Sequence, residues 1–379
     1  MARRHPASIL NHFAALPDPR RKRLRRHNLL DLIAIAICAV IGGCDDWVEV
    51  ATYGRKKFDW LKSFLPLPNG VPSHDTFSRV FRLLDPAAFQ RCFVRWIEAV
   101  QSATGGKLVA IDGKTLRHSF DTAAGKSALH LVSAWAGQNQ LVLGQRAVDG
   151  KSNEITAIPE LLAMLDLKGA IVTLDAMGCQ KEIVATIRQA GADYVIAVKG
   201  NQGALYDDLS DFFTDCLDHD FVGVPHRYHK SVGHGHGRHE TRHYYVADVP
   251  EALRTRKQWR DLRSVGMVYA ERQIGAEVSG ETRFFISSLR PEVKAFARAV
   301  RGHWGIENHL HWVLDVSFGE DQSRVRKDHG PENLAWLRRV AVSLLRNAPG
   351  KDSVKCKRKM AGWDNEYMIS ILLGNSGHP

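Results

Sequence analysis

The sequence predicts a mixed α/β fold: an N-terminal helical domain, then a mixed sheet built in the order β-β-β-α-β-α-β and closed by C-terminal helices. Three observations carry this. Apolar residues recur at helical spacing through the first hundred positions. From Lys107 the pattern shortens to runs of strand length, separated first by turn signals and then by helical segments. Two of those runs, Leu108-Val109-Ala110-Ile111 and Ile171-Val172-Thr173-Leu174, each end in an aspartate, Asp112 and Asp175. A carboxylate delivered at the end of a buried strand is costly unless it meets a cation or a proton donor.

Taken in order, residues 29–41 are apolar nearly all round and predict a helix central to its own core. Trp47, Val50, Phe58, Trp60, Leu61 and Phe64 extend that core, and Pro66-Leu67-Pro68-Asn69-Gly70 is a turn cluster. Ser73 is a candidate N-cap for a helix in which Phe77, Val80, Phe81 and Leu84 face inward and Arg79 and Arg82 face out. Strands follow at Lys107 to Asp112, His130 to Trp135 and Gln140 to Val148, the last two joined by Gly137-Gln138-Asn139. A helix from Ser152, a strand ending at Asp175, a helix from Lys181 to Ala190 and a strand from Asp193 to Lys199 complete the core. Three meandering strands followed by crossover helices are the order of an RNase H-like fold, in which the first and fourth strands are neighbours; that comparison puts Asp112 beside Asp175. An Asp-rich helix from Leu205 to Leu217 leads into a β-rich insertion at about 218–290. Pro291 opens a helix expected to reach Leu314, and a second long helix runs from Pro331 to Leu345. The expected domains are 1–100 (helical), 101–350 (catalytic core with the insertion) and 351–379 (a basic tail).

A net charge of +11 over 379 residues biases the partners toward polyanions. Arg3, Arg4, Arg20, Arg21, Lys22, Arg23, Arg25 and Arg26 face a single acid, Asp18, before Leu30. Lys351, Lys355, Lys357, Arg358 and Lys359 oppose only Asp352 near the other end. The six cysteines form no CxxC pair, which argues against a zinc ribbon or a disulfide framework and fits a reducing compartment. The longest apolar run, Leu29 to Gly43, falls short of the roughly 20 residues a bilayer demands. No signal peptide is evident, so a cytoplasmic protein without membrane contact is expected.

Glu307 lies on the predicted helix His303-Trp304-Gly305-Ile306-Glu307-Asn308-His309-Leu310-His311. Two aspartates on neighbouring strand ends and one glutamate on a helix across them suit Mg²⁺, a hard ion that prefers carboxylate oxygens. Two such ions can activate an attacking oxygen and stabilise a leaving one in phosphodiester chemistry. Lys114 is placed to meet a substrate phosphate or to buffer the acidic site. The alternatives are ordinary ones: a cap or turn role for Asp112, which Gly113 follows, and a turn acid at Asp175. His303, Glu307 and His311 at four-residue spacing could instead bind Zn²⁺. His234, His236 and His239 also suggest a metal, although the interleaved glycines favour a turn beside a strand. Lys199, Asn201 and Gln202 end a strand near the proposed site, as DNA contacts or as a capped helix start. Trp304 and Trp312 are read as core residues, with base stacking the alternative if they are exposed.

Together these segments resemble a bacterial insertion-sequence transposase of the DDE class, in the group containing the H-repeat-associated proteins of Rhs elements. The resemblance is carried by PNGVPSHDTFSRVFRLLDP ending at Pro86, AIDGKTLRHS around Asp112 and KSNEITAIPELL from Lys151. TLDAMGCQKEI around Asp175, YVIAVKGNQ ending at Gln202 and HWGIENHLHWVLDVSFGEDQSR around Glu307 complete it. It implies an RNase H-like core, two Mg²⁺ ions (Mn²⁺ may substitute), Asp112, Asp175 and Glu307 as catalytic metal ligands, and an N-terminal DNA-binding domain. It also implies cleavage by water followed by strand transfer to a 3′-hydroxyl at terminal inverted repeats, by a homodimer on the element ends. The expected DNA contacts are Lys114, Lys199, Asn201, Gln202, His303, Arg79, Arg82, Arg23 and Arg25. The broader class places Tyr-x2-Arg-x3-Glu-x6-Lys around its glutamate, where this chain has Val300, His303 and Leu314. His303 is then the candidate to replace the arginine's phosphate contact, while Glu320 and Asp321 are fallback ligands. A nuclease that cuts without joining and a non-catalytic DNA-binding descendant are the competing readings.

Overall fold

The computed structural model describes residues 10–100, 108–148, 153–235 and 237–373. Arg3, Arg4, Lys107, Lys151, Ser152 and His236, all invoked above, lie outside the described residues. The helices begin with α1 (Leu29–Ile41), α2 (Trp47–Lys56), α3 (Phe58–Lys62), α4 (His74–Leu83) and α5 (Pro86–Val100). Strands β1 (Leu108–Thr115), β2 (His130–Ala136) and β3 (Leu141–Val148) follow. Next come α6 (Glu154–Ala163), β4 (Ile171–Leu174), α7 (Lys181–Gln189), β5 (Asp193–Val198) and α8 (Gly203–Asp218). Strands β6 (His226–Gly235), β7 (Arg238–Asp248), β8 (Ser264–Ile274) and β9 (Glu277–Ser287) follow. Helix α9 (Val293–Ile306), a π-helical turn (Glu307–His311), α10 (Trp312–Phe318), α11 (Gly330–Asn347), α12 (Val354–Trp363) and α13 (Asn365–Leu373) close the chain.

The chain divides into two compact units, the first drawn from residues 1–103, 113–151 and 307–379 and the second from 104–112 and 152–306. In the first unit, α1 is buried around almost its whole circumference, as its composition requires. Its one acid, Asp31, accepts from the Leu67 backbone N–H at 3.1 Å, and burial pushes its pKa up. Helix α11 packs against α1, α4, α5 and β3, so the N-terminal helices share a core with the C-terminal ones. Trp336 of α11 lies 5.6 Å from Phe93, and Asn333 donates to the Phe81 and Leu84 carbonyls at 2.8 and 3.0 Å. Ser73 caps α4 as expected.

The basic run near the C-terminus does not form the expected tail. It folds into α12, with Lys357 and Arg358 buried. The Arg358 guanidinium donates to the Val40, Cys44 and Ser317 carbonyls and to Asp45 at 2.6 Å. Its planar donor fork thus joins carbonyls from the last turn of α1, the segment after it and the last turn of α10.

In the second unit, β1, β4 and β5 are parallel, and β9, β8, β7 and β6 continue the sheet antiparallel from β5. The expected adjacency of β1 and β4 is present, with Ile111 opposite Leu174. Strands β6 to β9 extend this sheet, because β9 pairs with β5 from Phe284–Val198 to Ser287–Val195. Helix α9 covers one face through Phe296, Val300 and Val293, which pack with Tyr244, Val246, Val268 and Phe285. Gly266 of β8 makes room for this: a Cβ there would stand 2.5 Å from the Phe296 ring.

Candidate active site

The β1–β4 pairing ends at Ile111–Leu174 on parallel strands, so Asp112 and Asp175 both follow directly from its last pair. Strand β1, expected to end at Asp112, runs on to Thr115, which leaves Asp112 inside the strand and Asp175 just past β4. The Asp175 carboxylate accepts from the backbone N–H groups of Met177 and Gly178 at 3.0 and 3.2 Å, which folds the following loop back on it. Asp175 keeps solvent contact, yet partial burial pushes its pKa up. The Gly178 N–H opposes that shift, the negative charges of Asp112 and Glu154 add to it, and His303 opposes it. Glu154, in the first turn of α6, thus adds a third carboxylate's field to the pair. Sequence reasoning treated it only as a helix start; its signal was the acid one residue after the N-cap Asn153, whose side chain accepts from the Ile155 N–H.

Asn201 and Gln202 were expected to contact DNA. In the structure, Asn201 Nδ2 donates to the Ala176 carbonyl at 2.7 Å, and Gln202 Nε2 to the Cys179 carbonyl at 2.8 Å. Both side chains therefore brace the loop that carries Asp175. Lys199, just before them, is exposed.

Helix α9 approaches β1 so closely that a Cβ on Gly302 would stand 1.9 Å from Leu108 Cδ2. The next residue, His303, is thereby brought to β4, where its Nδ1 lies 3.1 Å from Thr173 Oγ1. Burial lowers its pKa, against the pull of Asp112 and Asp175, so the ring is neutral at pH 7. His303 can hydrogen-bond a phosphate but does not bring the arginine's charge. Trp304 is half-buried under the Arg283 guanidinium, 4.8 Å from its ring.

Glu307 belongs to the first unit and opens the π-helical turn, exposed to solvent. Such turns recur at functional positions. The expected continuous helix to Leu314 is therefore interrupted, and the i→i+5 turn rotates later residues by roughly a quarter turn from α-helical phase. Leu314, at the class's lysine position, is fully buried. Trp312, expected in the core, is 59% exposed.

Other expected contacts are spoken for. Lys114 is buried, with Nζ 2.7 Å from Asp315 and 3.2 Å from Asp321. Asp321 also pairs with Arg117 at 3.2 Å, and Glu320 is fully buried against Arg339 at 2.8 Å, which uses up the fallback ligands. Arg82 pairs with Asp328 at 2.7 Å, and Arg25 donates to the Arg20 and Asp18 carbonyls. Arg79 and Arg23 are exposed. His234 and His239 face each other across β6 and β7 with ring centroids 4.3 Å apart. Among the described residues, no three His, Cys, Asp or Glu side chains are gathered to hold a metal ion.

The sequence profile described as "Transposase DDE domain" matches residues 103–344, and one described as "DDE_Tnp_1-associated" matches residues 10–97. The chain belongs to the DDE transposase family. It is 40% identical to "Putative transposase YncI" of Escherichia coli O157:H7, over 96% of this chain and 94% of that protein. It is 38% identical to "H repeat-associated putative transposase YhhI" of Escherichia coli (strain K12), over 97% and 98%. It is also 46% identical to "Uncharacterized protein in dhlA 3'region" of Xanthobacter autotrophicus, over 73% of this chain and 92% of that one. Transposase DDE domains work on DNA and generally use divalent metal ions. No helix among the described residues of this transposase-family chain is long and apolar enough to cross a membrane.

Proposed function

We propose that the chain is a DNA transposase that cleaves phosphodiesters at insertion-sequence ends and transfers the freed strand to target DNA. The observation that carries this reading is the pair Asp112 and Asp175, each directly after the last pair, Ile111–Leu174, of two adjacent parallel strands. Crowded like charges on hard oxygen donors fit a hard divalent cation. Asp112, Asp175 and Glu307 would hold Mg²⁺, as two ions that Mn²⁺ may replace, supplying Lewis-acid stabilisation and activation of the attacking oxygen. The loop N–H groups and the Asn201 and Gln202 braces fix the Asp175 carboxylate before DNA arrives. Neutral His303, tied to Thr173, adds no positive charge to compete for the carboxylates. Cys179 is not a rival nucleophile, since burial pushes its thiol up to about 12.

In this reading residues 101–350 form an RNase H-like core with its insertion at 218–290, and residues 1–100 bind DNA through exposed groups such as Arg23 and Arg79. Lys199 meets the substrate strand, and a homodimer in the cytoplasm holds the two element ends. The test is Asp112→Asn on labelled element-end DNA with Mg²⁺. Cleavage should fall about 1000-fold, or about 4 kcal/mol in barrier, while affinity for the end stays within about twofold, as expected for a group that acts on the transition state. Retained cleavage would rule the assignment out. Cut but never joined products from the wild type would make it a nuclease, and binding without either would make it a DNA-binding descendant.

A further inference from the structure

A groove of about 620 Å³ lies between α9 and the ribbon of β6 and β7, remote in sequence from the carboxylate pair. Its helical wall is a single stripe: Lys294, Arg298 and Arg301 follow at steps of four and three. Its floor comes from β7. Arg242 lies opposite Ser231, and Tyr244 opposite His229, so all four share one face. Four cations thus meet two carboxylates, Glu292 in the wall and Glu240 paired with Arg242.

Two features are unexplained by the fold alone. Tyr244 is 1% exposed and lines the groove, yet its hydroxyl has no hydrogen-bond partner. A buried hydroxyl left so costs about 1–3 kcal/mol. Arg242 stands half-buried near Arg301, and burial together with that second guanidinium lowers its pKa despite Glu240. An anion in the groove would relieve both the orphaned donor and the paired guanidiniums.

We propose that this groove seats a phosphate of duplex DNA, held by Arg242, Arg298 and Arg301 with Tyr244 donating from the floor. Planar guanidiniums are matched to phosphate oxygens, and the net charge of +11 makes a polyanion the natural carrier. The proposal rests on the reading that the chain acts on DNA and adds a backbone contact site on the insertion to it.

The test measures affinity of the full chain for duplex DNA against salt, for wild type, Arg298→Gln/Arg301→Gln and Tyr244→Phe. The double variant should weaken binding about tenfold or more and flatten the log–log salt slope by about one unit. Tyr244→Phe keeps the buried ring and should lose about tenfold in affinity with its thermal midpoint preserved. Wild-type affinity and slope in the double variant would overturn the proposal. So would tighter binding of inorganic phosphate than of DNA, which would mark a free-anion site, or poly-glutamate binding lost in the variants with DNA binding intact. Asp112→Asn separates the two readings. If it abolishes cleavage while the groove variants bind normally, this inference fails alone; if wild type binds in the groove yet never cleaves, the enzymatic reading fails alone.

Discussion

Asn201→Leu and Gln202→Leu separate a brace from a DNA contact. Each deletes one donor to the loop after Asp175, 2.7 Å from the Ala176 carbonyl or 2.8 Å from that of Cys179. Leaving a partly buried carbonyl without its partner costs about 1–2 kcal/mol. If the loop must hold its shape for Asp175 to act, that cost enters the barrier, giving about a 5- to 30-fold slower cleavage step per variant. The double variant should lose less than the product of the two single losses, because both bonds support one loop. The assay is single-turnover cleavage of end DNA at saturating protein, beside equilibrium binding by anisotropy. A brace predicts a lower saturated rate with unchanged affinity. A DNA contact predicts weaker affinity with the saturated rate intact, and that result would refute the reasoning.

Two further outcomes follow from buried charge. Arg339→Met strands the fully buried Glu320 carboxylate and should destabilise the chain by about 3–5 kcal/mol in urea titration, while Arg339→Met/Glu320→Leu recovers most of it. The second concerns pH. Asp175 has a folded pKa above 3.8, so its contribution to stability is full below that value and is lost as pH rises through the folded value. Asp112→Asn removes one cause of the shift and should raise the thermal midpoint at neutral pH in chelator, with the gain vanishing below about pH 4; equal midpoints at neutral pH would show that the two carboxylates do not interact.

The carboxylate pair was legible because two local signals coincide there: a strand-length apolar run and an acid at its end, twice, at Asp112 and Asp175. Helix α4, with one apolar face, was equally plain; α11 showed the same apolar spacing, although it is buried almost all round, Arg338 and Arg339 included. What could not be read depends on partners far away in the chain. Lys114 looks like a free cation beside Asp112 until Asp315 and Asp321 fold onto it. The basic run at 351–359 looks solvated, since composition does not say that Arg358 will find four oxygen partners. Asn201 and Gln202 have polar side chains that suit DNA or a loop equally well, and only the fold decides. The π turn after Ile306 is invisible because the same residues would support an ordinary α-helix.

The pairing of β9 with β5 ties strands β6 to β9 to the strand that leads into the candidate site. Strand β5 leads directly into Lys199 and the two amides that grip the Asp175 loop. A ribbon that joined elsewhere could swing without consequence. Here the ladder that carries the outer strands ends at Phe284–Val198, one residue before Lys199. The four antiparallel strands and the two amides that hold the Asp175 loop thus share β5 as their common anchor.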